Sequence, residues 1–297
     1  MNFLKKWYTY QKERFPVAIY SMYIFAIVFA TYAFVGSNSG IDHFDVGKIV
    51  LMFIVTILQF FMVRIVDEFK DYEEDCMYRP YRPVPRGLIT LKELKYAFVI
   101  SLAIQILITF IACKHAFPFL IALWIVFGLM TKGFFIKQFL DKHILAEVLF
   151  DELMLPFILL YITNFVNPTI NMISVKNYWA FLLLGYLVSW IVEIARKVRC
   201  KEDEEKGVKT YTAVYGIPKA IIILMTLEVI LFAVQMLILN NSLDKVKAII
   251  LGTIFTIVLL IDVVFMRKKS KKWAKLTELS ANIFILIAYL SMGILML

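Results

Sequence analysis

Residues 48–75 read KIVLMFIVTILQFFMVRIVDEFKDYEED. An apolar run over 48–66 gives way at Asp67 to a burst of charge. A helix needs about 20 predominantly apolar residues to cross the hydrocarbon core of a bilayer, so 48–66 predicts a membrane span and the acids after it mark where the chain leaves the membrane. The same pattern recurs outward from this stretch, near 16–36, 94–113, 117–131, 146–164, 178–195, 218–240, 247–265 and 279–297. The run at 117–131 is short and the run at 146–164 carries acids. Over the 297 residues, 61% are hydrophobic and only 19% charged, against roughly 25% charged in a soluble domain. The reading is an all-α, polytopic membrane protein of nine transmembrane helices, with residues 1–297 forming one membrane-embedded domain. Three scattered cysteines, Cys76, Cys113 and Cys200, exclude a disulfide framework or a zinc site.

The net charge of +9 reports topology rather than nucleic acid. Connections at 37–47, 114–117, 165–177 and 240–246 are short or mild. Those at 67–93, 132–145, 196–217 and 266–278 are long or charged, and with nine spans their Lys/Arg clusters fall on one side together with Lys5, Lys6, Lys12 and Arg14. The positive-inside rule then puts the N-terminus and the large loops in the cytoplasm and the C-terminus outside. The first apolar run has span length and no small-residue cleavage site after it, so no cleavable signal is expected. The basic, aromatic start around Trp7 to Lys12 reads as an interfacial anchor.

At the end of the second run, Asp67, Asp71 and Asp75 are four residues apart and would stack along one face if the helix continued. Like charges at that spacing repel, and a membrane boundary adds a desolvation cost. A divalent cation removes both. Mg²⁺ is held by one or two carboxylates and completes its octahedron with water and substrate phosphate oxygens, so the array predicts a diphosphate substrate. The plain alternative is a solvated acidic helix end balanced by Lys70 and the nearby arginines. Against it stands the next stretch of chain, Arg79-Pro80-Tyr81-Arg82-Pro83-Val84-Pro85-Arg86-Gly87. Prolines forbid a continuous helix, and arginines on a braced loop suit bidentate contact with a metal-bound polyanion.

These two strings resemble the signature of the UbiA superfamily of intramembrane prenyltransferases, an N-D-x-x-D-x-x-x-D run followed by an R-P-L-P-x-G loop. Asp67-Glu68, Asp71 and Asp75 match the run, with Asp in place of Asn at 67, and Arg82-Pro83-Val84-Pro85-Arg86-Gly87 matches the loop. The resemblance implies nine helices bundled around a central cavity open to the cytoplasmic side. It also implies Mg²⁺ on Asp67, Asp71 and Asp75, with Asp71 and Asp75 essential to catalysis and Arg79 and Arg82 on the diphosphate. The implied reaction is transfer of an isoprenyl group from an isoprenyl diphosphate to a lipophilic, typically aromatic acceptor, at the interface of the lipid bilayer. A terpene cyclase without acceptor and a non-catalytic lipid carrier or transporter are the other readings.

The family's second signature, D-x-x-x-D-x-x-x-G-x-x-T, is met only in its tail. Asp203, Gly207 and Thr210 fit, followed by Gly216, whereas the earlier acid falls on Arg199. Three readings stand: Glu193 with Asp203, Glu202 or Glu204 holds a second Mg²⁺; Arg196 and Lys197 bind diphosphate directly; or the segment is an ordinary charged loop. The resemblance also implies a basic residue after the fourth span, for which Lys132 is chosen over Lys137 and Lys142. Asp151 and Glu152 sit inside the fifth run, either near an acceptor or paired with a buried base. Glu228 and Asp262 are lone acids in later spans and receive no function.

Overall fold

The computed structural model describes residues 2–41, 43–140, 142–169, 171, 175–205 and 208–297. Among these residues the chain forms helices and no strand. A short helix, α1 (Phe3–Arg14), is followed by α2 (Val17–Ser39) and α3 (Val46–Lys70), with a short extension of about two turns, α4 (Tyr72–Tyr78). Beyond the proline-rich loop come α5 (Leu91–Ala112), α6 (Phe117–Thr131), α7 (Lys137–Leu140), α8 (Ile144–Asp151) and α9 (Met154–Val166). The chain finishes with α10 (Tyr178–Arg196), α11 (Tyr211–Tyr215), α12 (Ile217–Leu239), α13 (Lys245–Lys268) and α14 (Lys271–Met296).

Eight helical segments are long and apolar enough to cross a membrane: α2, α3, α5, residues 114–131 around α6, α10, α12, α13 and α14. The protein is an integral, multi-pass membrane protein. The expected fifth run, 146–164, departs from the expectation because it is broken into α8 and α9. Pro156 explains the break. A helix running through Glu152 would need the Pro156 N–H that proline lacks, and its ring would clash with the Glu152 carbonyl. Placed in the first turn of α9, Pro156 forfeits nothing, and the Glu152 carbonyl accepts a bond from Ser189 Oγ at 3.1 Å instead.

Helix starts follow their local sequence. Asp45 and Asp244 cap α3 and α13 by accepting from the amides of Lys48 and Lys247 at 3.0 and 2.8 Å, and Thr90 with Glu93 forms a capping box on α5. The first and last long helices, α2 and α14, pack against each other and close the bundle. Their approach depends on Gly293, where a Cβ would lie 2.2 Å from Phe29 Cδ1.

The N-terminal helix is more than the expected interfacial anchor. Tyr10 is buried with Ile65 of α3, Val84 and Ile89 of the proline-rich loop and Leu94 of α5, in a cluster separate from the main core. Ion pairs fix the same arrangement: Lys6 to Glu93 at 2.5 Å, Arg86 to both Glu13 oxygens at 2.8 and 2.9 Å, and Arg14 to Glu68 at 2.5 Å. Helix α1 thus lies across the loop and clamps it onto the end of α3.

Candidate active site

Helix α3 stops at Lys70 because Asp71 adopts φ −96° and ψ 1°, yet the hydrogen-bond spacing survives the interruption. The amides of Asp71, Asp75 and Arg79 donate to the carbonyls of Asp67, Asp71 and Asp75 at 2.9, 2.8 and 2.9 Å. The three aspartates therefore keep their four-residue succession. Their surroundings differ. Asp67 is 34% exposed and its nearest cation, Arg64, stands 3.7 Å away. Asp71 is partly exposed and makes no ion pair among the described residues.

Asp75 is 1% exposed and enclosed by arginines: Arg82 Nη1 donates to both its oxygens at 2.9 and 2.7 Å, Arg79 Nε lies at 3.0 Å and Arg14 at 3.9 Å. Asp75, expected from the sequence as a metal ligand, is thus bonded to arginine here, with Arg82 turned onto Asp75 and Arg79 shared between Asp75 and, at 2.7 Å, Glu74. The physical reason lies in the loop, whose turns close at Arg82 to Arg79, Gly87 to Val84 and Leu88 to Pro83, with Gly87 at φ 74°. Those turns carry the two arginines back over α4.

Sequence reasoning missed Glu68, 1% exposed and paired with Arg14 at 2.5 Å and Arg64 at 3.3 Å. A signal existed: the buried positions of α3 recur at Val55, Gln59, Met62 and Ile65, and the next in that series is Glu68.

In the second cluster, Glu193 pairs with Arg196 and, at 2.6 Å, with Lys197. Asp203 is held elsewhere, by Lys271 at the start of α14, whose ammonium keeps the Asp203 carboxyl below the usual carboxylate range. Glu193 and Asp203 thus answer to different cations and are not brought together. Arg199, standing where the family pattern has an acid, closes the loop: its Nη1 donates to Glu205 at 3.0 Å and to the Asp203 carbonyl at 3.2 Å. Glu204 accepts from Thr210 at 2.6 and 2.7 Å and from Thr212 at 2.7 Å, a tie that sequence reasoning did not foresee. Thr210 also caps α11 through the Ala213 amide at 3.0 Å, and Gly216 at φ 79° joins α11 to α12. Gly207 lies outside the described residues.

The two clusters meet at the α8–α9 break. Lys70 bonds Asp151 at 2.8 Å and stands 3.5 Å from Glu147, so Asp151 is the structural partner of a base. Arg196 stands close enough to Asp67, Glu152 and Glu193 for its charge to act on all three across this junction. Glu152 itself makes no ion pair among the described residues. Lys132, Lys137 and Lys142 are exposed after α6, and Lys132 likewise has no ion pair there. An apolar cleft of about 310 Å³ opens beside this end, lined by Met62, Val66, Phe98, Trp124, Phe127 and Thr131. A polar cavity of about 540 Å³ lies between the 196–205 segment and the start of α14.

The donor set suits Mg²⁺ only in part. Among the described residues no three Asp, Glu, His or Cys side chains converge tightly enough for an all-protein cage. Mg²⁺ requires no more than one or two carboxylates when phosphate supplies the rest, and Asp67 and Asp71 remain open enough to be those two. Asp75, saturated by arginine, does not fit.

The fold and site define a multi-pass membrane protein with a carboxylate-lined junction at one end of its helical bundle, beside an apolar cleft. The UbiA prenyltransferase family matches residues 22–287, and the chain belongs to that family. A digeranylgeranylglyceryl phosphate synthase of Methanobrevibacter smithii is 24% identical over 235 residues, 77% of this chain and 80% of that protein. One of Thermococcus sibiricus is 26% identical over 175 residues, and there the match spans only about half of either protein, 56%. Among solved structures, an apo UbiA homolog from Aeropyrum pernix K1 shares the fold with a TM-score of 0.66 at 13% identity, covering 92% of this chain and 96% of that one. A structure from work on digeranylgeranylglyceryl phosphate synthase in membranes gives 0.62 at 18% identity, over 98% and 99%.

Proposed function

We propose that this protein transfers an isoprenyl group from an isoprenyl diphosphate to the hydroxyl of a lipophilic glyceryl phosphate. The observation that carries the donor is the juxtaposition of two open carboxylates, Asp67 and Asp71, with an apolar cleft whose lining includes Val66 and Thr131, the residues immediately before Asp67 and Lys132. A diphosphate head seated between Asp67, Asp71 and Lys132 would send its hydrocarbon tail into that cleft. The acceptor is supported by the names of the two curated relatives. An aromatic acceptor has no comparable support, and neither the cyclase nor the carrier reading is favoured.

Mg²⁺ on Asp67 and Asp71 would stabilise the charge that develops on the departing diphosphate. The chain's own residues do the rest. Arg196, half-exposed beside its Glu193 partner, and Lys132 have donors left for phosphate oxygens. Asp75 acts as a positioning residue, fixing Arg79 and Arg82 and hence the loop. That loop, clamped by α1, excludes water from the junction. The donor's carbon–oxygen bond breaks with its electron pair leaving on diphosphate, the acceptor oxygen bonds the allylic carbon, and the departing diphosphate takes up the hydroxyl proton. The excess of basic residues at this end supports a cytoplasmic position for it, with the C-terminus outside.

The test is product analysis with purified protein in detergent, geranylgeranyl diphosphate and Mg²⁺, offering geranylgeranylglyceryl phosphate or 4-hydroxybenzoate. An ether-linked glyceryl product with Mg²⁺-dependent diphosphate release is expected. A prenylated aromatic alone, or a hydrocarbon formed without acceptor, would overturn the reading.

A further inference from the structure

The two acids that the sequence presents as solitary face each other in the structure. Glu228 of α12 and Asp262 of α13 are both 0% exposed, their carboxyls lie within hydrogen-bonding reach, and Thr277 of α14, also 0% exposed, stands beside Asp262. The three helices pack on one another. Asp262 and Thr277 are each six residues from the ends of their helices, roughly 9 Å along the axis at 1.5 Å per residue, so the group sits inside the spanning segments. Among the described residues all four carboxyl oxygens lack a hydrogen-bond partner, as two facing carboxylates must, since each offers only acceptors, and the Thr277 hydroxyl beside them, which could donate, is unpartnered too.

Among the described residues no cation pairs with either. The titratable groups on the packed elements include Glu193 and Arg196 on α10, Tyr211 and Tyr215 on α11, Lys219 on α12, Arg267 and Lys268 on α13, and Lys271, Lys272, Lys275, Glu278 and Tyr289 on α14, and none of them forms an ion pair with Glu228 or Asp262. Two carboxylates in contact and out of water cannot both stay ionised. The orphaned Thr277 hydroxyl breaks the symmetry, because it can donate to Asp262 and leaves Glu228 with apolar surroundings.

We propose that Glu228, Asp262 and Thr277 form a proton-binding site within the membrane: Glu228 keeps its proton and donates it to Asp262, which accepts a second bond from Thr277. The site is a clasp joining α12, α13 and α14, separate from the carboxylates proposed to take Mg²⁺, and it does not depend on the reaction assigned above.

Infrared spectroscopy of the reconstituted full chain at pH 8 tests it. The wild type should show a protonated carboxylic acid band that shifts in D₂O. Glu228→Gln should lose that band, and Asp262→Asn should retain it because the amide oxygen still accepts from Glu228. Should Glu228→Gln fail to fold, carbon-13 labelling of glutamate in the wild type reads the same proton. A second measurement is the pH dependence of unfolding. The folded wild type holds a proton that the unfolded chain releases, so its folding equilibrium should fall by up to tenfold per pH unit relative to Glu228→Gln between pH 6 and 8. Absence of a protonated glutamate band at pH 8 would overturn the proposal. So would stabilisation by sodium over potassium in the wild type but not in Glu228→Gln, which would make the occupant a metal cation.

Discussion

The two charged clusters at the motif end of the bundle contain similar numbers of acids and bases but distribute them in opposite ways. In the first, arginines gather on Asp75 and Glu68, both buried, and leave Asp67 and Asp71 open. In the second, four of the five acids have a neighbour that satisfies them, Glu193 with Arg196 and Lys197, Glu204 with Thr210 and Thr212, Glu205 with Arg199 and Asp203 with Lys271, and only the exposed Glu202 makes no ion pair among the described residues. What matters for metal and phosphate chemistry is therefore not how many carboxylates a segment carries but which ones its own cations leave unclaimed.

The sharpest break of this comparison is at Asp75. Arg79 and Arg14 would keep Glu74 and Glu68, but Arg82, 20% exposed, has Asp75 as its ion-pair partner, so removing that carboxylate strands Arg82 with little water and leaves three arginines crowded together. Asp75→Ala should cost about 3–5 kcal/mol of stability, measured by unfolding in detergent. Glu193→Gln should cost less than about 1 kcal/mol, because Arg196 and Lys197 are 52% and 30% exposed and hydrate when released. Equal losses would mean that the two clusters are built alike.

Activity sharpens it next. Asp71→Asn and Asp67→Asn should each lower the rate of prenyl transfer about a hundredfold, near 2.7 kcal/mol of barrier, with melting temperature unchanged. Glu193→Gln should lower it less than about tenfold and leave the Mg²⁺ requirement where it was. A matching loss at Glu193, together with a raised Mg²⁺ requirement, would place a second ion on that side and erase the asymmetry.

Much of the fold is legible because span length and charge alternation are local properties of the chain. The spans at 48–66 and 178–195 fall inside α3 and α10. The break near Glu152 escapes a reading that weighs the two acids there for their cost in the membrane and leaves Pro156 unweighed for its missing N–H. The first motif is legible as a spacing, which the backbone preserves across Asp71. Its electrostatics are not, since whether Asp75 faces a metal or an arginine depends on where the proline-rich loop folds back and on α1, some 60 residues upstream, pressing it down. Contacts across such sequence distances leave no periodic trace. Glu228 and Asp262 make the same point, as each looks solitary until α12 and α13 are side by side.

The smallest effect belongs to Asp203 and Lys271, the pair that ties the second loop to α14. Lys271 holds the Asp203 carboxyl below the ordinary carboxylate range, so the pair contributes stability that is present above the unfolded value of about 3.9 and is lost as pH falls through the lower folded value. Both groups face solvent, and salt screens such a pair. At low ionic strength Lys271→Met should therefore melt slightly below the wild type at pH 7, by a margin that vanishes in about 1 M salt and closes as the pH approaches about 3. Melting curves across that range give the answer directly. A margin that survives both acid and salt would show that Lys271 supports the loop through its aliphatic stem, and the second cluster would then resemble the first in resting on buried contacts rather than on solvated ones.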